Sequence, residues 1–113
     1  MVMERKINVR QRIYEGQANV LKALGQPTRL QILELLKDGE RCVCEIFPAI
    51  HQEQANVSKH LSILRQAGIL ESRKDGLRIL YRIKTPDVFN LLTGVSKLLK
   101  AQANEQHRLM TRI

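Results

Sequence analysis

The 113-residue chain has no tryptophan, and only 4% of its residues are aromatic. A core built from such a sequence must rely on leucine, isoleucine and valine, which pack well between helices. The scarcity of aromatic side chains also argues against a surface that binds single-stranded nucleic acid by base stacking. A chain of this length buries only one modest core, so we expect residues 1–113 to form a single domain.

The sequence also lacks an apolar run long enough for a signal peptide or a membrane span. This absence predicts a cytoplasmic protein with no membrane partner. No Ser/His/Asp set, glycine-rich phosphate loop or pair of carboxylates in a plausible cleft is visible, so we predict that the protein is not an enzyme.

Acidic residues are few: eleven Asp and Glu stand against nineteen Lys and Arg, which gives a net charge of +8. Residues 55–84 hold seven basic and two acidic side chains and so carry five of the eight net charges. A compact basic face attracts phosphate and releases condensed counterions, as duplex DNA binders do. A solvated basic surface and a face that binds an acidic protein are the alternatives.

Apolar residues recur at helical spacing over most of the first 67 residues. The pattern predicts a first helix that ends before Gly25 and a second helix from about Thr28 to Asp38. A short third helix over about 42–49 and a fourth over about 54–67 form a predicted helix-turn-helix.

Two strand-like runs, residues 69–74 and 77–84, follow the predicted fourth helix and are joined by Asp75-Gly76. Asp-Gly between such runs is typical of a β-hairpin turn. A basic hairpin directly after a helix-turn-helix is a wing. Thr85 and Pro86 then predict the cap and the first turn of a last helix.

The last helix carries an apolar stripe that has no obvious partner in so small a domain, namely Val88, Leu91, Leu92, Val95, Leu98 and Leu99. We interpret the first and last helices as a homodimer interface, with an intrachain core as the alternative. The predicted fold is therefore mainly α with a small β-hairpin. It is a winged helix-turn-helix of order α-α-α-α-β-β-α that dimerises through its first and last helices.

Helix-turn-helix proteins place the N-terminal half of the second helix of the motif in the major groove. His60 lies on the flank toward the core, so it either contacts DNA or forms a hydrogen bond between helices. The wing cations are predicted to grip phosphate or the minor groove. The predicted DNA contacts are Gln54, Asn56, Ser58, Lys59, His60 and Ser62 in the fourth helix and Arg73, Lys74 and Arg78 in the wing.

The chain has only two cysteines, Cys42 and Cys44, near the start of the predicted third helix. In a reducing compartment we expect thiols, metal ligands or a redox pair, since a disulfide between residues two apart would be strained. On an ideal helix the two side chains point about 200° apart, so both would bind one ion only if the first turn unwinds. Buried cysteines that act as small hydrophobes are the alternative.

Four segments and two wing residues stand in a characteristic order and spacing, namely Leu24 to Leu33, Cys42-Val43-Cys44-Glu45-Ile46, Gln54 to Leu61, Ala67-Gly68-Ile69-Leu70, and Gly76 with Tyr81 in the wing. Together they resemble the ArsR/SmtB family of winged-helix metalloregulators, and the resemblance covers about residues 15–100. It implies a homodimeric repressor that stays on its operator, a double-stranded DNA site, until an inducer binds.

Family members that sense arsenite or antimonite carry Cys-Val-Cys with an acidic residue next, here Glu45, and often a third cysteine where this chain has Phe47. The resemblance thus implies As(III) or Sb(III) as inducer at Cys42 and Cys44, completed by solvent or an exogenous ligand, or an organoarsenical that needs two thiolates. No constitutive cofactor is expected. A redox-sensing or reactive-sulfur-sensing repressor of the same fold is the alternative.

Overall fold

A computed structural model describes the backbone of residues 2–112 and the side chains of residues 8–112. The predicted order of elements is confirmed, with one short strand added. No helix in the described part of the chain is long and apolar enough to cross a bilayer. The elements are α1 (Val2–Leu24), α2 (Pro27–Leu36), β1 (Arg41–Cys42), α3 (Val43–Ala49), α4 (Gln54–Gln66), β2 (Leu70–Asp75), β3 (Arg78–Ile83) and α5 (Val88–Thr111).

The core consists of aliphatic side chains, as the composition predicts. On α4, Val57, Leu61 and Leu64 have no exposed surface, whereas Lys59 on the opposite side is exposed. This burial of one helical face fixes the rotation of α4 about its axis and turns its polar face to solvent. The largest fully buried side chains are Ile32, Leu33, Leu36, Ile46, Leu61, Leu64, Leu70 and Val57.

The wing, β2 and β3 with the turn between them, belongs to a three-stranded antiparallel sheet of order β1-β3-β2. Asp75 pairs with Arg78, so the turn residues are Gly76 and Leu77 and not the predicted Asp75 and Gly76. Gly76 adopts a φ of 63°, a left-handed conformation that glycine tolerates without steric cost. Strand β1 was not predicted from the sequence, because a segment of two residues is too short to show a periodic pattern.

The start of α5 differs from the prediction. The helix begins at Val88 after Asp87, whose side chain forms no capping hydrogen bond, so Thr85 is not the cap. The Thr85 hydroxyl instead donates to the carbonyl of Gly68 at 3.0 Å. Residues 86–87 form a turn between the wing and α5. The Thr85 hydrogen bond connects the start of that turn to the residue that follows the end of α4.

Most of the apolar stripe on α5 is not covered within the chain. Val88 packs into the core and Leu92 is half-buried, but Leu98 and Leu99 are 59% and 60% exposed. Apolar side chains on α1 are exposed to a similar degree, for example Ile13 at 55%. The radius of gyration is 18.4 Å, compared with about 13 Å for a compact domain of this length. The two terminal helices therefore extend from the core with unpartnered apolar faces, and the intrachain-core interpretation is wrong for most of the α5 stripe.

Candidate nucleic-acid interface and cysteine pair

Helix α4 presents the polar side chains that the sequence predicts to contact DNA. Gln54, Asn56, Ser58 and Lys59 are all exposed in its N-terminal half. Ser62 is half-buried and accepts a hydrogen bond from Gln66 Nε2 at 3.3 Å. The exposed set offers amide groups suited to adenine and a cation suited to guanine or phosphate.

A chain of side-chain hydrogen bonds holds the start of α4 against α2. Gln52 Nε2 donates to the Thr28 hydroxyl at 2.8 Å, and Asn56 Nδ2 donates to Gln52 Oε1. Sequence reasoning missed Thr28 and Gln52, since they lie 24 residues apart and belong to no local motif. The Asn56 amide is thus oriented before any DNA arrives, and its contact with a base remains a prediction.

Of the two roles that the sequence left open for His60, the structure supports a hydrogen bond between helices. His60 is 7% exposed, and its Nδ1 accepts a hydrogen bond from Arg29 Nε at 3.0 Å. The same guanidinium donates to the carbonyls of Lys22 and Ala23 at the end of α1. Arg29 therefore joins α4 to α1, and His60 lies in the core instead of on the exposed face of α4.

Burial, with the positive charges of Arg29 and Lys59, lowers the pKa of His60 below its usual 6.5. The unfolded chain therefore binds this proton more readily, and His60 favours the folded state fully only above about pH 6.5. We expect the free energy of unfolding to fall as the pH drops below 6.5. His60→Asn keeps a hydrogen-bond acceptor but does not titrate, so its free energy of unfolding should fall less between pH 7.5 and pH 5.5. Urea unfolding of both proteins at the two pH values measures this difference. Equal falls in the two proteins would contradict this assignment.

Two of the three predicted wing cations are held by glutamates. Arg73 contacts the carboxylate of Glu40 at 2.7 Å, and Arg78 contacts Glu45 at 3.1 Å. The hydrogen bond from Arg73 holds the pKa of Glu40 below its ordinary value. All four side chains keep at least a quarter of their surface exposed, and ion pairs of this kind contribute about 0–1 kcal/mol. DNA phosphates can therefore replace these carboxylates at little cost.

Cys42 and Cys44 lie side by side, contrary to the expectation from an ideal helix. Cys42 precedes α3 as its N-cap, in an extended conformation with φ −70° and ψ 147°. The two Cα atoms are 5.1 Å apart and the sulfurs are bonded to each other. The expectation that α3 must unwind to bring the two side chains together was wrong, because only Cys44 belongs to the helix. Cys42 is buried and Cys44 is exposed.

The pair is connected to the wing by the backbone and by Glu45. Cys42 pairs with Leu80 of β3 in the sheet. Its N–H donates to Glu45 Oε1 at 3.2 Å, and the same oxygen accepts from Arg78 at 3.1 Å. The Cys44 N–H donates to Cys42 Sγ at 3.0 Å, and this bond together with the Glu45 contact makes Cys42 and Glu45 a capping box at the start of α3. The spacing of Cys42 and Glu45 matches the capping-box pattern, a signal that sequence reasoning passed over.

The cysteine pair also borders a cleft of about 190 Å³ between α4 and the wing turn. Gln54 and Ser58 line it from α4, and Arg78 lines it from the wing. No group of three His, Cys, Asp or Glu side chains placed to hold a metal ion occurs among the described residues. Phe47, at the place of the third cysteine, is half-buried against the core. The chain can therefore offer two sulfur ligands beside its DNA-reading elements.

A helix-turn-helix with an exposed polar face and a basic wing defines the class: a winged helix-turn-helix DNA-binding transcriptional regulator. The family model described as "Bacterial regulatory protein, arsR family" matches residues 26–72. The chain belongs to the ArsR family.

Three relatives illustrate the similarity. The homodimeric winged helix-turn-helix domain of a possible ArsR-family regulator from Mycobacterium bovis is 34% identical with a TM-score of 0.74, over 85% of this chain and 89% of that one. Reduced HlyU from Vibrio cholerae is 28% identical with a TM-score of 0.67, over 78% and 93%. An uncharacterised HTH-type regulator of Methanocaldococcus jannaschii is 56% identical over 34 residues, which span 29% of this chain and 38% of that protein.

Proposed function

We propose that the protein is a homodimeric repressor that binds duplex operator DNA through α4 and the wing. It leaves the DNA when an inducer reacts with Cys42 and Cys44. One observation carries this proposal: the cysteine pair borders the same cleft as Gln54, Ser58 and Arg78, which are predicted DNA contacts.

Dimerisation is supported by the unpartnered apolar faces of α1 and α5, which a second copy of the chain would cover. The M. bovis domain of the same fold is homodimeric. In a two-fold dimer each copy of α4 enters a major groove, and the half-sites lie about one helical turn apart.

The proposed DNA contacts divide into two kinds. Gln54, Asn56, Ser58 and Lys59 meet base edges or nearby phosphates from α4. The wing cations Arg73, Lys74 and Arg78 bind the backbone, so they add affinity with little sequence preference. His60 and Ser62 act within the protein, since the first is buried and the second is half-buried.

Release follows from the position of Glu45 between the pair and the wing. A change in the bonding of Cys42 alters the capping box, and the carboxylate that holds the Cys42 N–H also holds Arg78. The wing and the start of α4 then shift relative to each other. Such coupling between two sites typically amounts to about 1–3 kcal/mol, or about 5- to 150-fold in DNA affinity.

The first candidate inducer is trivalent arsenic or antimony. Both sulfurs are adjacent and Cys44 is exposed, so a reduced pair can chelate one atom without unwinding α3. Arsenous acid would form two As–S bonds and release two water molecules, with one hydroxyl left on arsenic. The third position is thus filled from solvent.

The second candidate signal is oxidation, which is favoured by the close placement of the two cysteines, with Cα atoms 5.1 Å apart. In that reaction the two thiols lose two protons and two electrons to a peroxide or a polysulfide, which is reduced.

A DNA-binding titration tests the proposal. Fluorescence anisotropy of the reduced protein on its promoter DNA is measured with arsenite, antimonite, zinc, hydrogen peroxide and a polysulfide donor. We expect tight, salt-dependent binding that arsenite or an oxidant weakens by about 5- to 150-fold. An arsenite effect that persists under strong reductant identifies the metalloid candidate, and an effect of oxidant alone identifies the redox candidate. Absence of salt-dependent DNA binding would overturn the proposal.

A further inference from the structure

We propose that Thr28 and Gln52 set one base preference of the protein, because they hold Asn56 in an orientation that recognises an adenine in each half-site. This inference rests on the proposed function and specifies how the DNA sequence is read. It is carried by two consecutive side-chain hydrogen bonds that start at a buried hydroxyl and end at an exposed amide on α4. These three side chains are called the relay below.

The inner end of the relay is fixed in the core. Thr28 lies in the first turn of α2 and is only 6% exposed. Its hydroxyl accepts from Gln52 Nε2 at 2.8 Å, and Gln52 is half-buried in the turn before α4. A buried β-branched side chain has little rotational freedom, so the hydroxyl gives the Gln52 amide a fixed partner.

The outer end of the relay lies at the exposed N-terminal half of α4. Asn56 is exposed, and by helical geometry it lies about 60° around the helix from Lys59. Its Nδ2 donates to Gln52 Oε1. An exposed asparagine without such a bond samples several rotamers, and a base contact must then order it. The relay orders Asn56 beforehand and so lowers the entropic cost of contacting a base.

The free edge of the Asn56 amide matches adenine. One N–H of the amide is used by Gln52, so the carbonyl oxygen and the second N–H remain available. In the major groove adenine offers a donor at N6 and an acceptor at N7, and asparagine pairs with both. Guanine offers two acceptors there, and one of them would face the amide oxygen. The reversed amide would direct its oxygen at Gln52 Oε1, so the relay also disfavours that orientation.

The test selects bound duplexes from a random-sequence DNA library and compares base frequencies by sequencing. We expect the unmodified protein to select adenine at one position of each half-site. Asn56→Ala should lower this preference by about tenfold or more. Thr28→Val keeps the side-chain shape but removes the hydroxyl, so it should lower the preference by about 2- to 10-fold. Thr28→Ser keeps the hydroxyl and should restore most of it.

A modified duplex then tests the contact itself. The selected site is made with purine in place of the preferred adenine, which removes only the N6 amino group. In anisotropy titrations the unmodified protein should lose about fivefold or more in affinity, whereas Asn56→Ala should lose almost none. An equal loss in both proteins would contradict a contact between Asn56 and this base.

The matched control is Gln66→Ala, which removes a similar side-chain hydrogen bond from the same helix, the one from Gln66 Nε2 to Ser62 at 3.3 Å. Its base preferences should equal those of the unmodified protein. Thermal unfolding checks that Thr28→Val is folded. Gln52→Ala interrupts the relay at a half-buried position and should lower the adenine preference as Thr28→Val does.

Two results would overturn the inference while the proposed function stands. One is an unchanged adenine preference in both relay variants, and the other is an equal loss of preference at every position of the site. The second result would mean that the relay only stabilises the helix-turn-helix. If the unmodified protein selected no sequence at all, the proposed function would fail, and this inference with it.

Discussion

Lys59→Glu is expected to weaken operator binding by about 100-fold while leaving the free energy of unfolding almost unchanged. Lys59 is exposed on the polar face of α4, opposite the buried Val57, Leu61 and Leu64. The substitution replaces attraction to DNA by repulsion in both halves of the dimer. A lost contact of this kind costs about 1–3 kcal/mol, and loss of a phosphate contact also lowers the salt dependence by nearly one unit per site.

The matched control is Lys97→Glu, which changes the net charge equally. Lys97 lies on α5 on the side opposite the apolar stripe, by helical geometry. We expect the operator affinity of Lys97→Glu to stay within about threefold of that of the unmodified protein. At physiological salt, a charge far from the DNA interface is largely screened and changes DNA binding little. Anisotropy titrations at several salt concentrations measure both variants. Equal losses in the two proteins would mean that α4 does not enter the groove as proposed.

Cys42→Ser and Cys44→Ser are expected to keep operator affinity and lose the response to inducer. The ratio of DNA affinities without and with inducer, about 5- to 150-fold under the proposal, should fall to near one. The Cys42→Ser hydroxyl can still cap α3, since serine is a good N-cap residue. Cys42→Ala lacks that acceptor and should lose about 1 kcal/mol of stability as well. Retention of the full response in either serine variant would remove the pair from the mechanism.

Glu45→Gln separates the sensing reaction from its transmission to the wing. The amide oxygen can still accept the Cys42 N–H but no longer carries the charge that holds Arg78. We expect normal arsenical binding to the DNA-free protein together with a smaller release from DNA. A normal release would show that the signal reaches the DNA by way of α4 alone.

Much of the fold follows from local patterns in the sequence. The apolar positions of α4 recur at helical spacing and are buried as predicted, so the orientation of the polar face toward solvent was readable in advance. The hairpin was located by its β-prone runs and turn residues, although the turn lies one residue later than Asp75-Gly76. These features are local, because each depends on residues within one or two turns of chain.

The environment of the site depends on contacts between distant residues. Glu40 meets Arg73 and Glu45 meets Arg78 across 33 residues of sequence, and His60 meets Arg29 across 31. No periodicity signals such pairs, since partners this far apart are brought together by the packing of whole elements. The sequence therefore reveals the wing cations but not the glutamates that hold them.

By itself, the sequence determined the helical order, the polar face of α4, the basic wing and the presence of a nearby cysteine pair, because periodicity, turn residues and charge are properties of short segments. Only the tertiary structure decided that Cys42 leaves the helix to join β1, lies beside Cys44 and borders the cleft under the wing. Pairing of Arg41 and Cys42 with Tyr81 and Leu80 of β3 sets that conformation. A strand two residues long is stable only where a distant strand supplies its hydrogen-bond partners.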